Sequence, residues 1–221
     1  VASVDRLIAE LEATQPDWIV CTHYLPAIAS SHLARTGRLR GRVAVVVTDY
    51  VAHRWWVLPG VDRYYVATQK VAQMLVERGV AASAIQITGI PFRADMETPR
   101  APLPPLGQGP LRVLFLDSGV PRALAVSTLA AIRATPGLEV TTLERVVPTL
   151  QPLVDRAHVV VTKAGGLVVT ECLARGRAMV LPWPAYGQER GNRAQAVARG
   201  AAVALEESSR IGLVLGDLAR A

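Results

Sequence analysis

Short runs of β-branched and other apolar residues alternate along this chain with segments whose apolar positions recur at helical spacing. The runs at 18–22, 43–48, 64–67, 85–88, 111–116, 139–142, 159–162, 179–181 and 202–205 read as strands. Nearly all are apolar at consecutive rather than alternate positions, the mark of strands buried on both faces. The pattern therefore predicts parallel sheets covered by helices, an α/β fold. Residues 1–12 read as an amphipathic helix. A second helix is predicted over 69–78, with Thr68 to cap it and Gly79 to end it, and a third over 166–175, stopped by Gly176.

Periodicity is lost between Arg93 and Pro110, where Pro99, Pro102, Pro104, Pro105 and Pro110 cluster with Gly107 and Gly109 just after Pro91. This divides the chain into a partial N-terminal domain over 1–93, a linker over 94–110 and a C-terminal domain over 111–221. Two such halves are expected to face each other across a cleft, a usual place for a nucleotide. Both read as incomplete. The first opens on a helix with no strand and glycine-rich turn before it. The second has a short connection between 142 and 159 and is expected to end without a returning helix.

Composition narrows the field. A chain of 221 residues with 51% hydrophobic and 19% charged residues buries a core and is neither disordered nor collagen-like. Cys21 and Cys172 stand far apart with no metal-ligand spacing, which argues against a disulfide framework or structural zinc and for a reducing compartment. No export signal is evident at residues 1–12, and no uncharged apolar run reaches the ~18 residues of a spanning helix, so membrane contact is expected to be peripheral. The net charge of +6, almost all of it from arginine, favours anionic partners. The basic residues are scattered and carry no nucleic-acid-binding signature, so no nucleic-acid partner is expected.

The segment Val159 to Glu171 carries the most chemistry: a buried strand, the turn Thr162-Lys163-Ala164-Gly165-Gly166, then a helix. Such a junction offers free backbone N–H groups and a positive dipole end to an anion, and a diphosphate fits there. Lys163 adds a cation. Glu171 suits the two hydroxyls of a ribose, or is an ordinary surface glutamate. After the next strand, Gln188, Glu189 and Asn192 have a spacing suited to neighbouring sugar hydroxyls, or to a capping cluster on a solvated helix.

The motifs T-K-A-G-G-L-x-x-x-E-C-L-A-R-G (Thr162 to Gly176) and P-x-x-G-Q-E-x-x-N (Pro184 to Asn192) resemble the donor-binding half of the diacylglycerol glycosyltransferases, which include monogalactosyldiacylglycerol synthase and processive diacylglycerol glucosyltransferase. That family is related to the transferase that adds N-acetylglucosamine to lipid I. The first half agrees in order and spacing through V-T-D-x-x-x-H-x-x-W (Val47 to Trp56), D-x-Y-Y-V-A-T (Asp62 to Thr68) and T-G-I-P-x-R (Thr88 to Arg93). The resemblance implies two Rossmann-like domains of the GT-B type, with a UDP-sugar on the C-terminal one and a lipid acceptor on the N-terminal one. It places the diphosphate at Gly165 and Gly166, the ribose at Glu171 and the sugar at Gln188 and Glu189. Ser118 and Gly119 take the place of a glycine-rich turn, and Arg93 approaches the diphosphate from the other side. The family's N-terminal glycine-rich loop and its histidine have no counterpart here, and a stretch near the uracil is shortened to 144–152.

The resemblance implies an inverting, metal-independent transfer of a hexose from a UDP-sugar to diacylglycerol, with no cofactor, and the expected place is the inner cytoplasmic face of an anionic membrane. No Asp-x-Asp pair is present. The helix N-terminus at Gly166, with Lys163 or Arg93, would stabilise the leaving group. Asp49 and His53 are the candidate bases for the acceptor hydroxyl; His53 alternatively orients a loop, and His23 reads as a loop anchor. Arg54, Trp55 and Trp56 read as a lipid-facing segment, or the tryptophans fill a core. Three other readings stand beside this one: an N-acetylglucosaminyltransferase acting on a polyprenyl-linked acceptor, a UDP-sugar epimerase, and a non-catalytic nucleotide-binding module.

Overall fold

The structure, a computed structural model, describes residues 2–98, 102–143 and 147–221. Residues 99–101 of the proline-rich segment and 144–146 of the shortened 144–152 loop lie outside the described residues. The chain divides into two compact units, Val1–Pro91 and Phe92–Ala221.

In the first unit the apolar runs become β1 (Trp18–Cys21), β2 (Arg42–Val46), β3 (Arg63–Val66) and β4 (Ile85–Ile87), a parallel sheet in the order β1-β2-β3-β4. Val20 pairs with Ala44, Val45 with Tyr64 and Tyr65 with Gln86. Helices α1 (Ala2–Thr14), α2 (Tyr24–Arg35) and α3 (Gln69–Val76) cover it. As the spacing predicts, the Thr68 hydroxyl caps α3 by accepting from the Val71 N–H, and Gly79 follows in the left-handed region at φ +92°. Val45, Val47, Tyr64, Val66, Val71 and Leu75 form one buried cluster, and Leu11, Leu33, Leu39 and Val43 form a second.

The second unit holds β5 (Leu111–Phe115), α4 (Arg122–Arg133), β6 (Leu138–Thr142), α5 (Gln151–Arg156), β7 (Val159–Val161), α6 (Gly166–Ala174), β8 (Ala178–Leu181), α7 (Gln188–Ala198), β9 (Ala202–Ala204) and α8 (Ile211–Arg220). Its parallel sheet runs β6-β5-β7-β8-β9. One expectation is corrected. The short connection between 142 and 159 contains α5, and the chain does return over the sheet as α8, whose Ile211 and Leu215 join Ile132 of α4 in the core. Gly212 and Gly216 obscure α8 in the sequence; in the fold they let it lie close to α4, since a β-carbon on Gly212 would stand 2.9 Å from the Thr135 hydroxyl. Upstream of β5, a 3₁₀ turn over Ala94–Glu97 buries Met96, and the His158 ring nitrogen Nε2 lies 2.9 Å from the Pro104 carbonyl.

Candidate functional site

All strands of the second sheet are parallel, so the chain leaves each at the same edge. From β5 it steps outward to β6, then returns to the other side of β5 for β7. The connections therefore diverge between β5 and β7, which leaves a crevice at their C-terminal ends.

The β7–α6 turn borders this crevice. Gly165 is the N-cap of α6, at φ −70° and ψ 139°, and makes no side-chain cap. The turn is braced from behind: the Gly165 N–H donates to the Lys163 carbonyl at 2.9 Å, and Asn192 Nδ2 donates to the Ala164 carbonyl at 3.0 Å. Asn192 is 0% exposed. Its expected place among sugar contacts is thus corrected, because packing against the turn leaves it no surface to offer a ligand. A β-carbon placed on Gly165 would meet nothing within 4 Å, so neither backbone conformation nor crowding within the protein demands glycine there.

Lys163 is the centre of the cluster. Its Nζ lies 3.0 Å from Glu189 Oε1 in the first turn of α7, and it passes over Gly119, where a β-carbon would stand 2.9 Å from Nζ. Gly119 itself has φ +74°. Two hollows meet at this lysine. One of about 470 Å³ is mostly apolar, lined by Leu116, Leu143, Leu150 and Val168 with Ser118 and Gly165. The other, of about 390 Å³, is bordered by Gly119, Trp183, Tyr186, Gln188 and Glu189. Ser118, Gly119, Lys163, Gly165, Gln188 and Glu189 are therefore gathered around one place, as their motifs suggest, with Gly166 opening the helix behind Gly165.

Glu171 belongs to a neighbouring cluster. It lines neither hollow, is half-buried on α6, and has its carboxyl held above the usual range, first by burial and then by the Asp95 carboxylate, with Arg93 acting in the opposite sense. Arg93 Nε is 3.1 Å from Asp95 Oδ2. Cys172 next to Glu171 is sealed from solvent, and burial pushes its thiol up to about 12, so it stays neutral.

In the first unit, His23 follows β1 and His53 follows β2, and each caps the element after it. His23 Nδ1 accepts from the Leu25 N–H and His53 Nδ1 from the Trp55 N–H, both at 3.2 Å. His53 is held below the usual histidine range by burial, partly opposed by the nearby Asp49 carboxylate. It is therefore neutral at pH 7, with its lone pair committed to the cap. Asp49 is buried, at 8% exposure. Tyr24 stacks on His23 and meets His53 and Trp55 edge-on. The two tryptophans separate sharply: Trp55 is 48% exposed, whereas Trp56 is 2% exposed among Val45, Val66 and Val71. Trp56 is a core residue, which corrects its reading as lipid-facing. Among the described residues no cluster suited to a metal ion occurs, and no helix is long and apolar enough to cross a membrane.

Two successive parallel-sheet units of this kind define the two-Rossmann-domain, GT-B class. The fold is shared with Arabidopsis thaliana UGT89C1 complexed with UDP, at TM-score 0.67 and 14% identity, covering 100% of this chain and 68% of that one. It is shared too with the UDP-GlcNAc 2-epimerase of Neisseria meningitidis bound to UDP-GlcNAc, at TM-score 0.65 and 12% identity, covering 96% and 70%. Within that class, residues 2–92 match the family model of monogalactosyldiacylglycerol (MGDG) synthase. The chain is also 29% identical over 238 residues to the processive diacylglycerol beta-glucosyltransferase of Bacillus subtilis (strain 168). That alignment takes in 93% of this chain and 61% of the relative, so the chain spans about three-fifths of its length. The resemblance to the diacylglycerol glycosyltransferases thus holds in both units.

Proposed function

We propose that the chain is part of an inverting, metal-independent glycosyltransferase that moves a hexose from a UDP-sugar to diacylglycerol. One observation carries the reading. Gly165 sits at an uncapped helix N-terminus with open space where a side chain would be, beside the cation of Lys163. Glycine there serves a ligand backbone or phosphate, and amides plus ammonium suit a diphosphate. The apolar hollow on one side of Lys163 suits a flat base, and the Gln188–Glu189 hollow on the other suits a sugar.

In the proposed reaction the acceptor hydroxyl oxygen attacks the anomeric carbon as the bond to the diphosphate oxygen breaks on the opposite face, inverting the centre. The leaving UDP gains negative charge, which the α6 N-terminus and Lys163 stabilise, supplying charge that a divalent cation would otherwise provide. Lys163 exchanges Glu189 for the diphosphate, freeing that carboxylate for the sugar. The acceptor's proton goes to a base; Asp49 and His53 are the two candidates, and the Nδ1 lone pair of His53 is engaged by the Trp55 N–H. The ribose is assigned to Glu171, with Arg93 as the neighbouring cation. Trp55 and Arg54 are assigned to an anionic membrane surface, which on this reading is the cytoplasmic inner face.

The test is to incubate the intact protein with diacylglycerol vesicles and UDP-glucose or UDP-galactose, then identify the lipid by mass and the sugar by hydrolysis. A monohexosyl or oligohexosyl diacylglycerol is expected. Transfer only to a polyprenyl-linked acceptor, or epimerised UDP-sugar without transfer, would replace this reading.

A further inference from the structure

Helix α6 carries Gly165 at its start, Glu171 in its middle and Arg175 at its end, and the last is almost wholly buried at 3% exposure. The Arg175 guanidinium grips Asp155 of α5 through a two-pronged fork, Nε to Oδ1 and Nη2 to Oδ2, both at 2.7 Å. Its remaining arm, Nη1, donates to the backbone carbonyls of Met96 at 2.7 Å and Thr98 at 2.6 Å. Two residues on, Arg177 donates to the carbonyls of Val154 and Asp155 at the end of α5. The first arginine therefore joins three pieces of chain: α6, α5 and the 3₁₀ turn Ala94–Glu97. That turn bears Asp95, with Arg93 before it, and both charges act on Glu171.

A buried ion pair is often no more stable than well-packed apolar residues of similar volume, so stability alone gives little reason for an arginine here. What the planar fork adds is direction, because it satisfies a carboxylate and two carbonyls at fixed angles. We infer that Arg175 is a positioning residue: by pinning the Met96 and Thr98 carbonyls to α6, it holds the Arg93–Asp95 pair against Glu171 and so sets the environment of that carboxylate. The same fork anchors α5, which follows Leu150 of the apolar hollow. The link to nucleotide binding rests on the proposed ribose role of Glu171; the link to the carboxylate's environment does not.

The two parts are read separately in the whole chain. Carbon-13 titration of the Glu171 carboxyl in ligand-free protein, assigned through Glu171→Gln, reports its environment. The charges of Asp95 and Arg93 act on this group, and the neutral Cys172 thiol does not titrate in the range. In Arg175→Lys, which keeps a charge for Asp155 but loses the fork, the midpoint is expected to fall toward the ordinary carboxylate range. Asp95→Asn, which leaves the fork intact, is expected to move it the same way. A folded Arg175→Lys protein with an unchanged midpoint overturns the inference. Should that variant fail to fold, an unchanged midpoint in Asp95→Asn overturns it as well, because the pair would then not act on Glu171. UDP affinity across pH is the second arm: its acid limb should follow the Glu171 midpoint in each variant. Midpoints that move while UDP affinity ignores them would remove the ribose assignment and leave the positioning role standing.

Discussion

The Lys163 ammonium lies 2.9 Å from where a β-carbon on Gly119 would stand, and Asn192 braces the same pocket from behind through the Ala164 carbonyl. Replacing Asn192 with alanine leaves that carbonyl without this partner in a dry environment. Chemical denaturation should show a loss of about 1–3 kcal/mol, and UDP should bind more weakly. The paired tryptophans should separate in the same assay: Trp56→Ala is expected to cost about 3–5 kcal/mol, whereas Trp55→Ala should leave stability nearly unchanged. Glu171 makes a pH prediction. Its folded carboxyl is held above the unfolded value, so the native state binds this proton more tightly and gains stability as pH falls toward the ordinary carboxylate range. Glu171→Gln should therefore be the more stable protein at neutral pH, with the gap closing on acidification. Side-chain identities such as Asn192 and Trp56 are visible in the sequence, but which side of a loop they face is not. That depends on packing between segments distant in the chain, as Asn192 against Ala164 shows.

Elements were more legible than residues because their signals are local. Val159 to Val161 is apolar at consecutive positions and lies centrally between β5 and β8, where both faces are covered. Thr68 and Gly79 mark the ends of α3 by chemistry that acts within a few residues. Helix α8 escaped for the opposite reason: its glycines lower helix propensity locally and are explained only by close approach to Thr135. Gly212→Ala is thus expected to destabilise the second unit, although alanine is favoured over glycine in a helix by about 1 kcal/mol, because the new methyl meets the Thr135 hydroxyl. A melt of Gly212→Ala alone and combined with Thr135→Ala checks this, and relief in the double variant is the expected outcome. The helix α5 lies in a connection whose brevity masked it, and it is held by hydrogen bonds from Arg175 and Arg177, which lie beyond β7 in the chain.

At the scale of the chain, the positive charge and exposed Trp55 next to Arg54 lead to a prediction about lipid. Binding to phosphatidylserine-containing vesicles should weaken with rising salt and in Trp55→Ala, while Trp56 variants that fold should bind like the wild type. The fold alone does not choose a chemistry, since a UDP-bound plant protein and a UDP-sugar epimerase share it. Any of these chemistries needs a donor site, and the proposed site lies at the β7–α6 turn. Calorimetric titration of UDP into the wild-type chain and Gly165→Ala, with melting temperatures measured in parallel, tests that turn directly. Saturable one-site heat in the wild type, lost in a variant that melts at the same temperature or slightly higher, is the predicted result. Absence of heat in the wild type, or equal binding by both proteins, would contradict it.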